Sequence, residues 1–276
     1  MFQRAFSRFG QTACLALSLA LAGAFAPTSA PAQVVWSSVD EVISVEVVPG
    51  WRRADGTHVA GLQFSLEAGW KTYWRSAGAA GIPPNFDWDA SEQLDDVAVV
   101  WPAPRVFRQG GVQSIGYDQD FILPLILTPT DAQGPVRLSG VLDLGVCADI
   151  CLPARLQVDA TLPTDAQPNA ALQAALNSQP QRLGVPVNCS VRSTPDGLAL
   201  SGQVDLPALG GVEAVVFEVP DPKVWVTDAD VQRQGDRLFA QSELMVAGGE
   251  AAALNTSDVR ITVIGGNTAV ELAGCG

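Results

Sequence analysis

Along most of this chain apolar and polar residues alternate one for one, in short runs bounded by Gly, Pro, Asp and Asn. Glu41–Val48, His58–Leu66, Val97–Trp101, Phe121–Leu127, Val136–Leu144 and Arg155–Leu162 all show it. A period of two in runs rich in β-branched residues predicts strands that bury one face. One stretch breaks the pattern: Asn169–Leu176 is rich in Ala, Leu and Gln, with Pro168 ahead of it and Pro180 soon after, which predicts a short helix. Beyond it the alternation resumes in Val187–Arg192, Leu198–Val204, Ala214–Val219, Leu238–Val246, Val259–Ile264 and Ala269–Leu272. Many short strands between turn signals predict an all-β chain built of antiparallel sandwiches. The expected division is a first domain over 34–163, a helix-containing linker over 164–185 and a second domain over 186–276, both domains of ordinary size.

The first 32 residues read as a secretory signal peptide. Arg4 and Arg8 supply the basic start, Ala13 to Ala26 the apolar run, and Ala30-Pro-Ala32 the small-x-small cleavage site. Cys14, inside that run, is expected to leave with the signal. No later run approaches the roughly 18 apolar residues of a membrane span, so the exported protein is expected to be soluble. A net charge of −13, with Lys71 and Lys223 as the sole lysines, gives no electrostatic footprint for nucleic acid.

Four cysteines then remain, Cys147, Cys151, Cys189 and Cys275. An even count in an exported chain predicts two disulfides. Of the three possible pairings the spacings favour 147 with 151 and 189 with 275. Cys147-Ala-Asp-Ile-Cys151 lies between two alternating runs, so its cysteines are expected to face each other across a hairpin. Closing that short loop stabilises by only about 2 kcal/mol, whereas the long loop contributes roughly 4.5 kcal/mol. The long-loop bond therefore reads as structural and the short-loop bond as the candidate for exchange, with a structural staple as the competing reading. Asp149 between the two cysteines disfavours a thiolate.

Other chemistries fit less well. His58 is the sole histidine and stands in a strand, where a surface or rim role outweighs catalysis; without a second histidine no Ser-His-Asp or Cys-His arrangement presents itself. A closed zinc site needs four ligands, and the two cysteines lack companions. Gly78–Gly81 and Gly248-Gly249 do not have phosphate-loop spacing. Asp87, Asp89, Glu92, Asp95 and Asp96 read as a solvated acidic face, and Trp70, Trp88 and Trp101 as sandwich core and rim. The stretch Pro102 to Asp120, with Gly110-Gly111 inside it, reads as a long mobile loop suited to a lid. No metal or other cofactor is expected. A non-catalytic module holding Cu(I) on its thiols, or serving cytochrome c assembly, is the alternative, and a purely structural disulfide-stapled domain the third.

Several motifs in fixed order resemble one family: Gly69-Trp-Lys-Thr-Tyr-Trp-Arg75, Gly81-Ile-Pro-Pro84, Phe86-Asp-Trp88, Trp101-Pro-Ala-Pro104, Ser114-Ile-Gly-Tyr117, Leu123-Pro-Leu125 and Val146-Cys-Ala-Asp-Ile-Cys-Leu-Pro-Ala154. Together they are similar to the periplasmic N-terminal region of the DsbD/ScsB thiol:disulfide interchange proteins. The resemblance covers most of the first domain, and more weakly extends to the second through the ScsB-like branch. It implies immunoglobulin-like sandwiches and a redox-active Cys147/Cys151 pair. The pair would relay electrons from a membrane donor of the DsbD/CcdA type to periplasmic protein disulfides, with thioredoxin-like partners. By position it implies Cys151 as the cysteine that forms mixed disulfides and Cys147 as the resolving one. It implies Tyr73 as an aromatic beside the pair, and Phe107–Tyr117 as a shielding loop with Phe107 its capping ring. Two departures stand out: the cysteine spacing is shorter than in the better-known DsbD domain, and the chain as given ends without the membrane-spanning and thioredoxin-like parts.

Overall fold

The computed structural model describes residues 39–246 and 254–275. The signal peptide, Cys14 and Gly248-Gly249 lie outside the described residues. The described residues form one compact unit. It opens with a single turn, α1 (Val39–Val42), followed by β1 (Ile43–Arg52), β2 (His58–Leu66), β3 (Lys71–Tyr73), β4 (Asn85–Asp87), β5 (Leu94–Val99), β6 (Arg105–Gln109), β7 (Val112–Tyr117), β8 (Phe121–Pro129), β9 (Val136–Cys147) and β10 (Cys151–Leu162). After α2 (Ala170–Asn177) come β11 (Gln181–Leu183), β12 (Asn188–Thr194), β13 (Gly197–Asp205), β14 (Ala214–Glu218), β15 (Val224–Val226), β16 (Asp230–Gln234), β17 (Arg237–Val246), β18 (Arg260–Gly265) and β19 (Thr268–Ala273).

Two pairs of sheets result, and the fold is all-β and immunoglobulin-like. In the first pair, β1-β2-β8-β5 faces β10-β9-β3-β7-β6, with β4 added on β9. In the second, β11-β19-β18-β14 faces β12-β13-β17-β15, with β16 also on β17. Each pair encloses its own core, as alternation requires: Leu62, Leu125, Leu138, Leu142 and Leu162 in the first, Leu200, Leu244, Val263 and Leu272 in the second. Trp70, Trp88 and Trp101 pack half-buried against the first core, in keeping with core and rim. The acidic residues between Asp87 and Asp96 are exposed.

The helix in the stretch read as a linker is docked. Asn169 caps it by accepting the Leu172 N–H, which satisfies an orphan donor of the first turn. Leu172 and Leu176 bury against Trp51 and Val59. The second pair of sheets also starts inside that stretch, because β11 pairs in parallel with β19.

Two expectations are corrected. His58, expected at the surface or rim, is fully buried. It lies on a strand flanked on both edges, and an irregularity in β1 between Val48 and Trp51 leaves the Pro49 carbonyl free to accept from His58 Nε2 at 2.6 Å. Burial pushes the imidazole pKa below its usual value, so the ring is neutral near pH 7. The Pro102–Asp120 stretch, expected as a mobile lid, is largely the β6–β7 hairpin. Gln109 pairs with Val112, and Gly110 and Gly111 form the two-residue turn with φ of 60° and 83°. Two successive positive φ values are what a tight hairpin matched to strand twist demands, and glycine adopts them without strain.

Candidate functional site

Cys147 ends β9 and Cys151 begins β10, and the two are paired directly across the hairpin. Ala148, Asp149 and Ile150 form the loop, closed by the Ala148 N–H donating to the Ile150 carbonyl at 3.0 Å. The cysteines are disulfide-bonded with their Cα atoms 4.1 Å apart. Their surroundings differ sharply. Cys147 is 1% exposed and packs with Tyr73 and Ala77, whereas Cys151 is exposed beside an Ile150 that is 59% exposed. One cysteine is enclosed by the protein and the other stands at the exposed hairpin tip.

Strand geometry decides which aromatic residues share this face. On β3, Lys71 pairs with Cys147 and Thr72 with Val146. Successive side chains alternate, so Lys71 and Tyr73 lie on the cysteine face while Thr72 lies on the core face with Val146. On β7, Tyr117 pairs with Thr72 and Gly116 with Tyr73. Gly116 has no alternative there, since a Cβ would come within 2.0 Å of the Thr72 carbonyl oxygen.

Tyr73 is 2% exposed, and its hydroxyl lies 3.8 Å from Cys151 Sγ. Burial raises its pKa, which keeps the phenol protonated and able to donate to sulfur. Phe107, on β6, pairs with Ser114 and by alternation shares the cysteine face. Its half-buried ring carries the Lys71 ammonium 5.6 Å from its centroid, and that ammonium also donates to Gln109 at 3.2 Å. Tyr117 is not brought to the pair. It stands on the opposite face, donates its hydroxyl to the Pro102 carbonyl at 2.9 Å and stacks on Phe121 at 4.1 Å, an interior role that follows from its pairing with Thr72 on the core face. Asp149 sits exposed in the loop between the cysteines.

Two neighbours of the pair went unread in the sequence. Lys71, opposite Cys147, was legible in principle from alternation through Gly69–Arg75. Ala77, which packs on Cys147 from an irregular segment, carries no such signal. The second disulfide joins Cys189 on β12 to Cys275 beyond β19, so it links the two sheets of the second pair. Among the described residues, no group of three or more His, Cys, Asp or Glu is placed to hold a metal ion.

Residues 39–163 match the family described as thiol:disulfide interchange protein DsbD, N-terminal. Among solved structures, the N-terminal periplasmic domain of ScsB from Proteus mirabilis has the same fold, with a TM-score of 0.64 at 22% identity over 87% of this chain and 97% of that one. No curated protein sequence matches the chain.

Proposed function

We propose that this chain, whose residues 39–163 match the DsbD N-terminal family, is a thiol:disulfide interchange module that relays electrons in the periplasm from a membrane donor of the DsbD/CcdA type to thioredoxin-like or other protein disulfides. The observation that carries the reading is the unequal exposure of the two bonded cysteines, Cys147 at 1% and Cys151 exposed. A donor thiolate attacks Cys151 Sγ, the S–S bond breaks, and Cys147 leaves as thiolate and takes a proton. A second donor thiolate then displaces Cys151 from the mixed disulfide. Two electrons and two protons have passed to the pair, and the donor is left as a disulfide. In the forward half, the Cys151 thiolate attacks a substrate disulfide and Cys147 resolves the adduct. Tyr73, a neutral phenol beside Cys151 Sγ, steadies the thiolate by hydrogen bonding.

Trapping tests the reading. Cys147→Ser expressed with the signal peptide is expected to accumulate periplasmic adducts through Cys151, which dissociate under dithiothreitol. Absence of adducts, while the protein is folded and exported, would reject interchange. In this reading 34–163 is the redox domain, 164–185 its linker and 186–276 the second domain.

Phe107 is the shielding ring. The reduced pair would otherwise be oxidised by any passing disulfide, and covering thiols removes them from attack. Stopped-flow oxidation of reduced Phe107→Ala by a small disulfide is expected to run about two- to ten-fold faster than the parent, as when a contact of ordinary strength is lost. Equal rates would make Phe107 merely a seat for Lys71.

A further inference from the structure

The second pair of sheets reaches the cysteine site through the short segment that follows β3. The Arg75 guanidinium lies over the Trp74 ring, 4.1 Å from its centroid. It forms a two-pronged ion pair with Glu218 of β14 at 2.8 and 2.9 Å, and reaches Glu271 of β19 at 3.3 Å. Two residues on, Ala77 packs against Cys147. Two further on, the Ala79 N–H donates to Asp228 Oδ1 at 3.1 Å, from the turn between β15 and β16. The segment that walls Cys147 is thus anchored to the second sandwich on either side of Ala77. Its own sheet holds it too: the Ala77 carbonyl accepts from Ile115 N–H at 2.9 Å and the Ala80 N–H donates to the Gln113 carbonyl at 3.2 Å.

Between these anchors contact is loose. A cavity of ≈ 390 Å³ is lined by Ala77, Gly78 and Gly81 on one side and Val226 and Asp228 on the other, with Trp225 at 62% exposure on its rim. The turn at Gly78, with φ +77°, is tight against its neighbours: a Cβ there would meet the Gln113 carbonyl oxygen at 2.9 Å and Asp228 Oδ1 at 3.4 Å. Asp228 Oδ1 thus sits against the Gly78 turn and accepts from the Ala79 N–H beside it.

We infer that Asp228 is a positioning residue for exchange at Cys147–Cys151: from the second sandwich it holds the Ala77 wall against Cys147 and so sets how readily that bond opens. This rests on the interchange reading above and assigns the second sandwich a part in it. Ala77 belongs to the buried cluster that encloses Cys147. Releasing it gives a thiolate access to Cys147 and gives the departing thiolate room.

The test follows reduction of both disulfides by dithiothreitol, by alkylation and peptide mass, in the full chain and in Asp228→Ala, Asp228→Asn and Glu218→Gln. In Asp228→Ala, reduction of 147–151 is expected to quicken about two- to ten-fold, the range that one lost hydrogen bond of ordinary net worth produces, while 189–275 keeps the parent rate. Asp228→Asn retains an acceptor oxygen without the charge and is expected to restore the parent rate. Glu218→Gln, which weakens the other anchor without removing bulk, is expected to shift the 147–151 rate in the same direction. The inference is overturned by a parent rate in Asp228→Ala, by equal quickening of both bonds, or by an asparagine variant that behaves like alanine. A parent protein whose 147–151 bond resists dithiothreitol overturns the interchange reading and this inference with it; a parent that exchanges beside an unaltered Asp228→Ala overturns this inference alone.

Discussion

Under graded dithiothreitol, Cys147–Cys151 is expected to open well before Cys189–Cys275, with rates differing about ten-fold or more if the second bond must await a local opening costing about 1.4 kcal/mol or more. The difference arises from place in the fold. Cys151 stands exposed at a hairpin tip, and β9 and β10 remain paired from Leu152 with Val146 down to Leu162 with Val136, so breaking the bond leaves the ladder intact. Cys189 and Cys275 are half-buried and pack on the second core, and they fasten strands of two different sheets. A thiolate reaches them only when β12 or the segment after β19 lifts away. Alkylation at each dithiothreitol concentration, read by peptide mass, measures both midpoints and rates. Coincident behaviour, or a crosslink between Cys147 and Cys189, would reject the division into an exchanging and a structural bond.

The features legible in the sequence were those fixed by local pattern. Val136–Leu144 and Arg155–Leu162 alternate clearly, and β9 and β10 pair there one for one, so the facing of Cys147 and Cys151 could be read from their flanks. The hairpin of β6 and β7 could not, because Arg105 to Gln109 is largely polar and its alternation fades, so that Gly110-Gly111, a turn signature, reads as part of a long loop. Tyr73 and Tyr117 show a second limit. Both lie in motifs that resemble one family, yet one faces Cys151 and the other the interior, a distinction set by the register of β3 on β7 that no single strand's pattern contains. His58 shows a third: its burial depends on neighbours along both edges of β2 and on a carbonyl that a bulge leaves free. Asp228 and Ala77 lie in segments without periodicity, and their meeting near Cys147 depends on how two sandwiches sit in one compact unit.

Replacing Cys189 and Cys275 together by alanine is expected to lower stability by about 2–5 kcal/mol, on the order of 5–15 °C in Tm for a unit of this size. The bond spans 86 residues of separation, against 4 for Cys147–Cys151, and a cross-link restricts the unfolded chain more as the loop it closes grows. In the folded state it also joins β12, at one edge of its sheet, to the segment just after β19 in the facing sheet. Without it, the outer strand of that sheet is held by its ladder to β13 alone, and the C-terminal segment by the Gly274 and Cys275 N–H groups donating to Val259 and Thr256. The corresponding Cys147→Ala, Cys151→Ala protein is expected to lose no more than about 2 kcal/mol, the contribution of closing so short a loop, because the β9–β10 ladder already fixes the ends that the bond joins. Melting curves of the two double variants beside the parent decide the matter. A larger loss from the 147/151 variant would exchange the structural and functional assignments of the two bonds.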